Sequence, residues 1–265
     1  MNHLRLYLKS CRMLMKCQMQ YRASFFMQTL AQLVMMLSEF LAVVLLMRRF
    51  THLGQWGTGE ILFFFGVIST AFYTCEAFGR GITSFHLLIG HGELDSLLIR
   101  PRGVLFQVLC SQADPRRFGA VLVGLFALAL GSILAQVQWT ALKALLLIWS
   151  VVGTIVLVLG LFLIEATFCF FSVKSIEMVN VLTYGGRSTC QYPIDIYPKP
   201  LRILFMVAAP FALTVHLPAA FILDKPLYGA GAGLCFLSPL AGFVFFAVMI
   251  AVFYRGLRHY RSTGS

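Results

Sequence analysis

Residues 142–171 read LKALLLIWSVVGTIVLVLGLFLIEATFCFF, with Lys143 near one end and Glu165 near the other as the only charges. A helix that crosses a membrane needs about 20 mostly apolar residues, and this run exceeds that. Its upstream neighbour, GAVLVGLFALALGSILAQV at residues 119–137, carries no charge. Runs of this length and purity read as membrane spans, and the rest of the chain is organised around them.

The composition agrees. Of 265 residues 59% are hydrophobic and 12% charged, with a mean hydropathy of +0.84. A soluble domain carries about 25% charged residues, and here too few polar groups remain to coat a core of this size. Lipid is the alternative solvent, and the length allows roughly six spans with no room for a sizeable soluble domain. The net charge of +11 does not indicate nucleic acid as a partner, because the basic residues sit in short clusters between apolar runs, as membrane topology requires. The seven cysteines form no C-x-x-C pair and read as small apolar residues.

Working outward, further spans are expected at about residues 23–47, 60–89 and 232–254, around a charge-bearing break at 90–118. Residues 1–22 are expected to form an amphipathic helix. Arg5, Lys9, Arg12 and Lys16 recur at helical spacing on one face, opposite Leu4, Tyr7, Leu8, Cys11, Leu14 and Met15. Such a helix lies at the headgroups of an anionic leaflet; the alternative is a helix packed on a partner protein. The following apolar run is too long for a signal peptide and ends in Arg48-Arg49, so it reads as a retained span. After residue 171 the pattern loosens. Residues 173–200 are mixed, and the apolar stretch 201–223 is broken by Pro210 and Pro218.

Orientation follows from the basic residues. With the N-terminus inside, 17 of the 21 lysines and arginines fall on inner segments, leaving Arg48, Arg49, Lys143 and Lys225 outside. The inverse arrangement violates the positive-inside rule. Both termini are therefore expected to be cytoplasmic, with an even number of spans.

No phosphate loop of the G-x-x-x-x-G-K-[ST] type appears, and no H-E-x-x-H, G-x-S-x-G or paired Cys/His spacing. Three carboxylates fall within spans: Glu39, Glu76 and Glu165. A charge at membrane depth is costly and marks a functional candidate; the plainer reading is pairing to a neighbouring helix. Glu76 stands four residues from Arg80, a helical pairing distance. The strongest candidate lies outside the spans. Gly92-Glu93-Leu94-Asp95-Ser96-Leu97-Leu98-Ile99-Arg100-Pro101 is a short amphipathic segment that Pro101 stops. Leu94, Leu97 and Leu98 share one face, which implies that lipid or a partner protein covers them.

This Gly-Glu-Leu-Asp-x-Leu-Leu-x-Arg-Pro stretch between the second and third spans resembles the ABC-2-type permeases, in particular the branch described as ABC-2 family transporter protein. Three more features share the resemblance: the basic amphipathic N-terminus, the run from Tyr192 to Arg202 continuing to Pro210 and Pro218-Ala219, and the ending from Tyr254 to Gly264. It covers most of the chain. It implies an all-α integral membrane fold of six transmembrane helices, a dimer with an identical or related permease, and two docked ATP-binding subunits. Gly92, Glu93, Leu94, Asp95, Leu97, Leu98, Arg100 and Pro101 would then form the cytoplasmic coupling helix. ATP and magnesium would be held by the partner subunit and no cofactor by this chain, in a bacterial inner membrane. The resemblance also places the proline-rich segment on the outer side, as a re-entrant element before the last span, making residues 176–191 the fifth span. Hydropathy alone places that span at 201–223. The re-entrant version moves Lys199 and Arg202 outside and still leaves 15 basic residues inside.

Two other readings compete. A secondary transporter or channel would use Glu39, Glu76 or Glu165 as ion sites, but such folds repeat broken helices in both halves, and only residues 192–218 are broken here. A lipid-modifying enzyme or assembly anchor would need a convergent site, and His86 and His91 are the only close histidines.

Overall fold

The computed structural model describes residues 3–50, 52–170, 176–225 and 231–260. Helix α1 (His3–Gln18) passes through one 3-10 turn into α2 (Arg22–Arg49). A two-stranded hairpin, β1 (His52–Leu53) with β2 (Trp56–Gly57), turns at Gly54 (φ +66°). Helix α3 (Thr58–Thr83) follows, opened by Glu60, whose carboxylate accepts the Gly57 amide at 2.7 Å as a helix-start cap. Then come α4 (Phe85–Gly90), α5 (Glu93–Ile99) and α6 (Val104–Ser111). Helices α7 (Phe118–Leu134) and α8 (Ala141–Phe168) form the pair read first from the sequence. The remainder comprises α9 (Ile176–Cys190), α10 (Lys199–Val207), α11 (Leu217–Ile222), α12 (Ala232–Leu237) and α13 (Leu240–Leu257).

Five helical stretches, containing α2, α3, α7, α8 and α13, are long and apolar enough to cross a membrane. Helix α3 is the hub, buried along nearly its whole length. Glycine lets α7 come close: a methyl added at Gly131 would stand 2.5 Å from the Phe63 amide nitrogen, and one at Gly124 would stand 2.9 Å from that of Thr70. With lipid on the outside, backbone proximity through small residues is the main means by which such helices associate. Helices α8 and α13 meet similarly at Gly153, where a methyl would stand 2.7 Å from the Pro239 carbonyl oxygen.

The bundle has two distinct ends. One, here the basic end, gathers α1, α5, α6 and the last residues of α13; Tyr7 donates to the Phe78 carbonyl at 2.7 Å and Gln18 to that of Ala113 at 2.9 Å. The far end gathers the β-hairpin, the α7–α8 turn and residues 192–198 and 223–225. There Lys143 pairs with Asp224 at 2.6 Å, Lys225 with Glu60 at 2.8 Å, and His216 stands 3.4 Å from Asp195.

Three expectations change. Residues 201–223 do not make one straight span: α10 and the helical stretch Ala212–Ile222 are bent by 88° at the break holding Pro210, and the second half opens with a π-helical turn, Ala212–His216. Both ends of this stretch lie at the far end, Asp195 beside Gln55 (3.5 Å) and Asp224 beside Lys143. Since α8 finishes at the basic end, where Thr167 and Phe170 meet Gly256 of α13, α9 connects the two ends. Secondly, the last span stands as one stretch long enough to cross, Gly233–Leu257, but it carries a turn at Ser238 and Pro239 between α12 and α13. Thirdly, the break at 90–118 contains a second helix, α6, beside the expected α5.

Candidate functional site

The segment from Gly92 to Pro101 protrudes at the basic end. Gly92 adopts φ +69°, a left-handed conformation that glycine takes without steric cost, and this turns the chain out of α4 into α5. Glu93 and Asp95 occupy the first turn of α5, where carboxylates favour the positive end of the helix dipole. Arg100 is extended (ψ 140°), as the residue before a proline must be, and the helix ends there.

The two faces of α5 differ from the sequence expectation. Leu94 is fully buried and Leu97 nearly so, within the chain's own core. They need no external cover, because α4 and α6 fold back to either side. The exposed apolar surface is instead Leu98 (44%) and Ile99 (86%), flanked by exposed Glu93, Ser96, Arg100 and Pro101. Helix α6 holds α5 in place: the Gln107 side-chain amide donates to the Leu97 carbonyl at 3.0 Å and to that of Arg102 at 2.8 Å. The first is a carbonyl that the end of α5 leaves unsatisfied, and the second belongs to the turn between α5 and α6. From the other side, burial and then the Asp95 carboxylate raise the pKa of the Tyr260 phenol.

Helix α1 lies across the basic end with Tyr7, Cys11, Leu14 and Gln18 turned inward and Arg5, Lys9, Arg12 and Lys16 exposed. Of the apolar stripe, Leu8 (57%) and Met15 (40%) are left exposed by the chain itself, so α1 has an inward face and a separate apolar flank.

The three carboxylates of the spans all have partners. Glu39 on α2 pairs with the Arg187 guanidinium of α9, which lies over the Tyr73 ring at 4.7 Å and the Phe72 ring at 5.5 Å. Glu76 pairs not with Arg80 but with Arg117 at 3.3 Å, and accepts from the Tyr184 hydroxyl at 3.0 Å. The cause is rotational: Glu76 is turned toward the start of α7, where Arg117 also reaches Gln32 at 2.7 Å and stands 3.7 Å from Asp114. Glu165 accepts from the Thr183 hydroxyl at 2.6 Å. Arg187, placed with the inner basic residues by sequence, lies within α9. The resulting network joins α2, α3, α8 and α9 to the short turn that follows α6. Its use of Arg187, Arg117, Tyr184 and Thr183 was invisible in the sequence, where partners stand up to 148 residues apart. The one available signal was the presence of an arginine in a stretch otherwise able to span.

Among the described residues no cluster of His, Cys, Asp and Glu could hold a metal ion. His86 bonds locally to the Thr83 carbonyl at 3.0 Å, and His91 is exposed. A sequence-family model described as ABC-2 family transporter protein matches residues 33–264. No curated protein and no solved structure matches the chain.

Proposed function

The chain belongs to the ABC-2 family of transporter proteins, and from that premise we propose that it is the permease of an exporter powered by a separate ATP-binding subunit docked on α5. The family identifies a multi-pass membrane permease that works with ATP-binding subunits. What carries the docking assignment is the two-faced α5: an apolar anchor sunk in the core and an exposed Leu98–Ile99 tip on a protruding, charged segment. A rigid helix fixed from beneath by Leu94, Leu97 and Gln107 transmits a push from a docked partner to α4, α6 and the bundle. ATP and magnesium belong to that partner.

The basic end faces the cytoplasm in this reading, following the positive-inside rule, and the membrane is a bacterial inner membrane. Helix α9 is the fifth span, and α10 with α11 forms the re-entrant element dipping in from the outer side. Irregular backbone at membrane depth is tolerated where protein covers it, and Phe205, Phe211 and Val215 are buried. Export is the direction assigned.

A second permease completes the unit. Glu39 is 42% exposed in the single chain, at a depth where lipid is a poor solvent for a carboxylate. Around it, α2 exposes Ala31, Ser38 and Ala42, and α9 exposes Val181 and Ser188. Small residues on a face of this kind favour close helix packing, and a second copy meeting this groove would cover the Glu39–Arg187 pair.

The test is affinity purification of the tagged chain from its native membrane. The expected result is an ATP-binding subunit retained by the wild type and lost with Ile99→Asp. Equal retention by the variant removes α5 as the docking site.

A further inference from the structure

A cleft of about 390 Å³ opens at the basic end between α1, the end of α5 and α6. Its apolar lining includes Leu6, Leu97 and Phe106, and Ser10 supplies a hydroxyl. Its only charged lining residues are Arg100 and Arg102, with no carboxylate among the lining. Neither arginine takes part in an ion pair among the described residues. The two lie on either side of Pro101, and the Arg102 amide donates to the Arg100 carbonyl at 2.7 Å, a tight turn that holds both side chains close to the cleft. Burial and then the Cys11 thiol raise the pKa of the Cys110 thiol on its wall, and the Ser10 hydroxyl and then the Arg102 guanidinium in part offset this.

We propose that this cleft binds the headgroup and upper acyl region of an anionic phospholipid from the inner leaflet. Three properties fit. The volume falls within the range of ligand pockets, roughly 300–1,000 Å³. The chemistry is divided as a phospholipid is: a greasy wall, and two guanidinium groups, whose planar forks match phosphate oxygens bidentately. The position is right, since one wall is α1, whose outward face carries Arg5, Lys9, Arg12 and Lys16, and basic pockets at this level of a membrane protein take anionic headgroups. A lipid seated there would lie against Leu97 and Arg100, so the charge of the leaflet would bear directly on the segment that docks the ATP-binding subunit. The binding itself does not depend on that docking.

The experiment uses purified full-length protein, with any co-purifying subunit, exchanged into mixed micelles holding equal phosphatidylglycerol and phosphatidylcholine. Retained lipid is counted by native mass spectrometry. Phosphatidylglycerol should be retained in preference to phosphatidylcholine, and Arg102→Gln should lower its retention roughly ten-fold, the order expected for one charge-assisted contact. Ser10→Trp, which fills the cleft, should lower retention as well, whereas Arg49→Gln, exposed at the other end of the bundle, should leave it unchanged. Equal retention of both lipids, or retention untouched by both Arg102→Gln and Ser10→Trp, overturns the proposal. Displacement of the bound lipid by inorganic phosphate alone also overturns it, in favour of a small-anion site.

Discussion

Arg187 is the buried charge through which α9 meets α2. It is 6% exposed, contacts two aromatic rings and ties α9 to α2 through Glu39. Arg187 is the buried member of the pair and Glu39 is 42% exposed; removing Glu39 leaves the buried guanidinium uncompensated, whereas replacing both by apolar groups is often neutral. Glu39→Leu should therefore lower the thermal midpoint in detergent sharply, and Glu39→Leu with Arg187→Leu should recover most of the loss. An unrecovered double variant means that the pair does more than neutralise itself. Gln107 holds the end of α5 and the turn after it by one amide–carbonyl bond each, to Leu97 and to Arg102, each of about 1 kcal/mol. Gln107→Leu should raise trypsin cleavage after Arg102 while leaving the bundle's midpoint nearly unchanged. None of these pairings was legible in the sequence. It showed Glu39, Glu76 and Glu165 as costly residues and offered only Arg80 as a local partner, because pairing at membrane depth is decided by which helix faces arrive together.

The elements were legible in proportion to their purity. Helices α7 and α8 stand where uninterrupted apolar runs place them, with ends shifted by a few residues. Helix α9 was obscured by Asn180 and Arg187, which lower its hydropathy although Arg187 is covered on folding. The apolar stretch from 201 to 223 conceals a bend: at the break that holds Pro210 its two helices stand at 88°, which a hydropathy window does not register. Helix α5 was found but its faces were misassigned, since the position of α6 above it cannot be read from a period. The correction changes the expected phenotype. Leu94→Ser should destabilise the protein itself, by about 2–5 kcal/mol for a buried leucine removed. Ile99→Asp should leave the melting curve in place and act only on partner binding. The glycines of α3 and α7 set a further test: Gly131→Val forces a side chain into the backbone around Phe63 and should lower stability by about 1–3 kcal/mol or more. A melting curve unchanged by that variant contradicts the close approach of α3 and α7.

At the scale of the molecule, one end gathers α1, α5, α6 and the last residues of α13, and the other gathers the hairpin and residues 192–198; in the proposed reading the first faces the cytoplasm and the proline-rich segment returns from the outer side. This predicts that a cysteine at Lys199, in a background with Cys11, Cys17 and Cys110 changed to serine, reacts with a membrane-impermeant maleimide added outside the cell. Labelling only after the membrane is opened would restore 201–223 as the fifth span. The same background with Ser38→Cys should give disulfide-linked dimers of this chain if a second copy covers the α2–α9 groove. The central claim, that this permease is driven in trans, is tested most directly by ATP hydrolysis in lipid vesicles. The chain alone should hydrolyse no ATP, the chain with its co-purified subunit should do so, and Ile99→Asp should reduce the rate to that of the isolated subunit. If instead the chain alone moves solute down a proton gradient, with no ATP-binding subunit bound to it, the account is wrong.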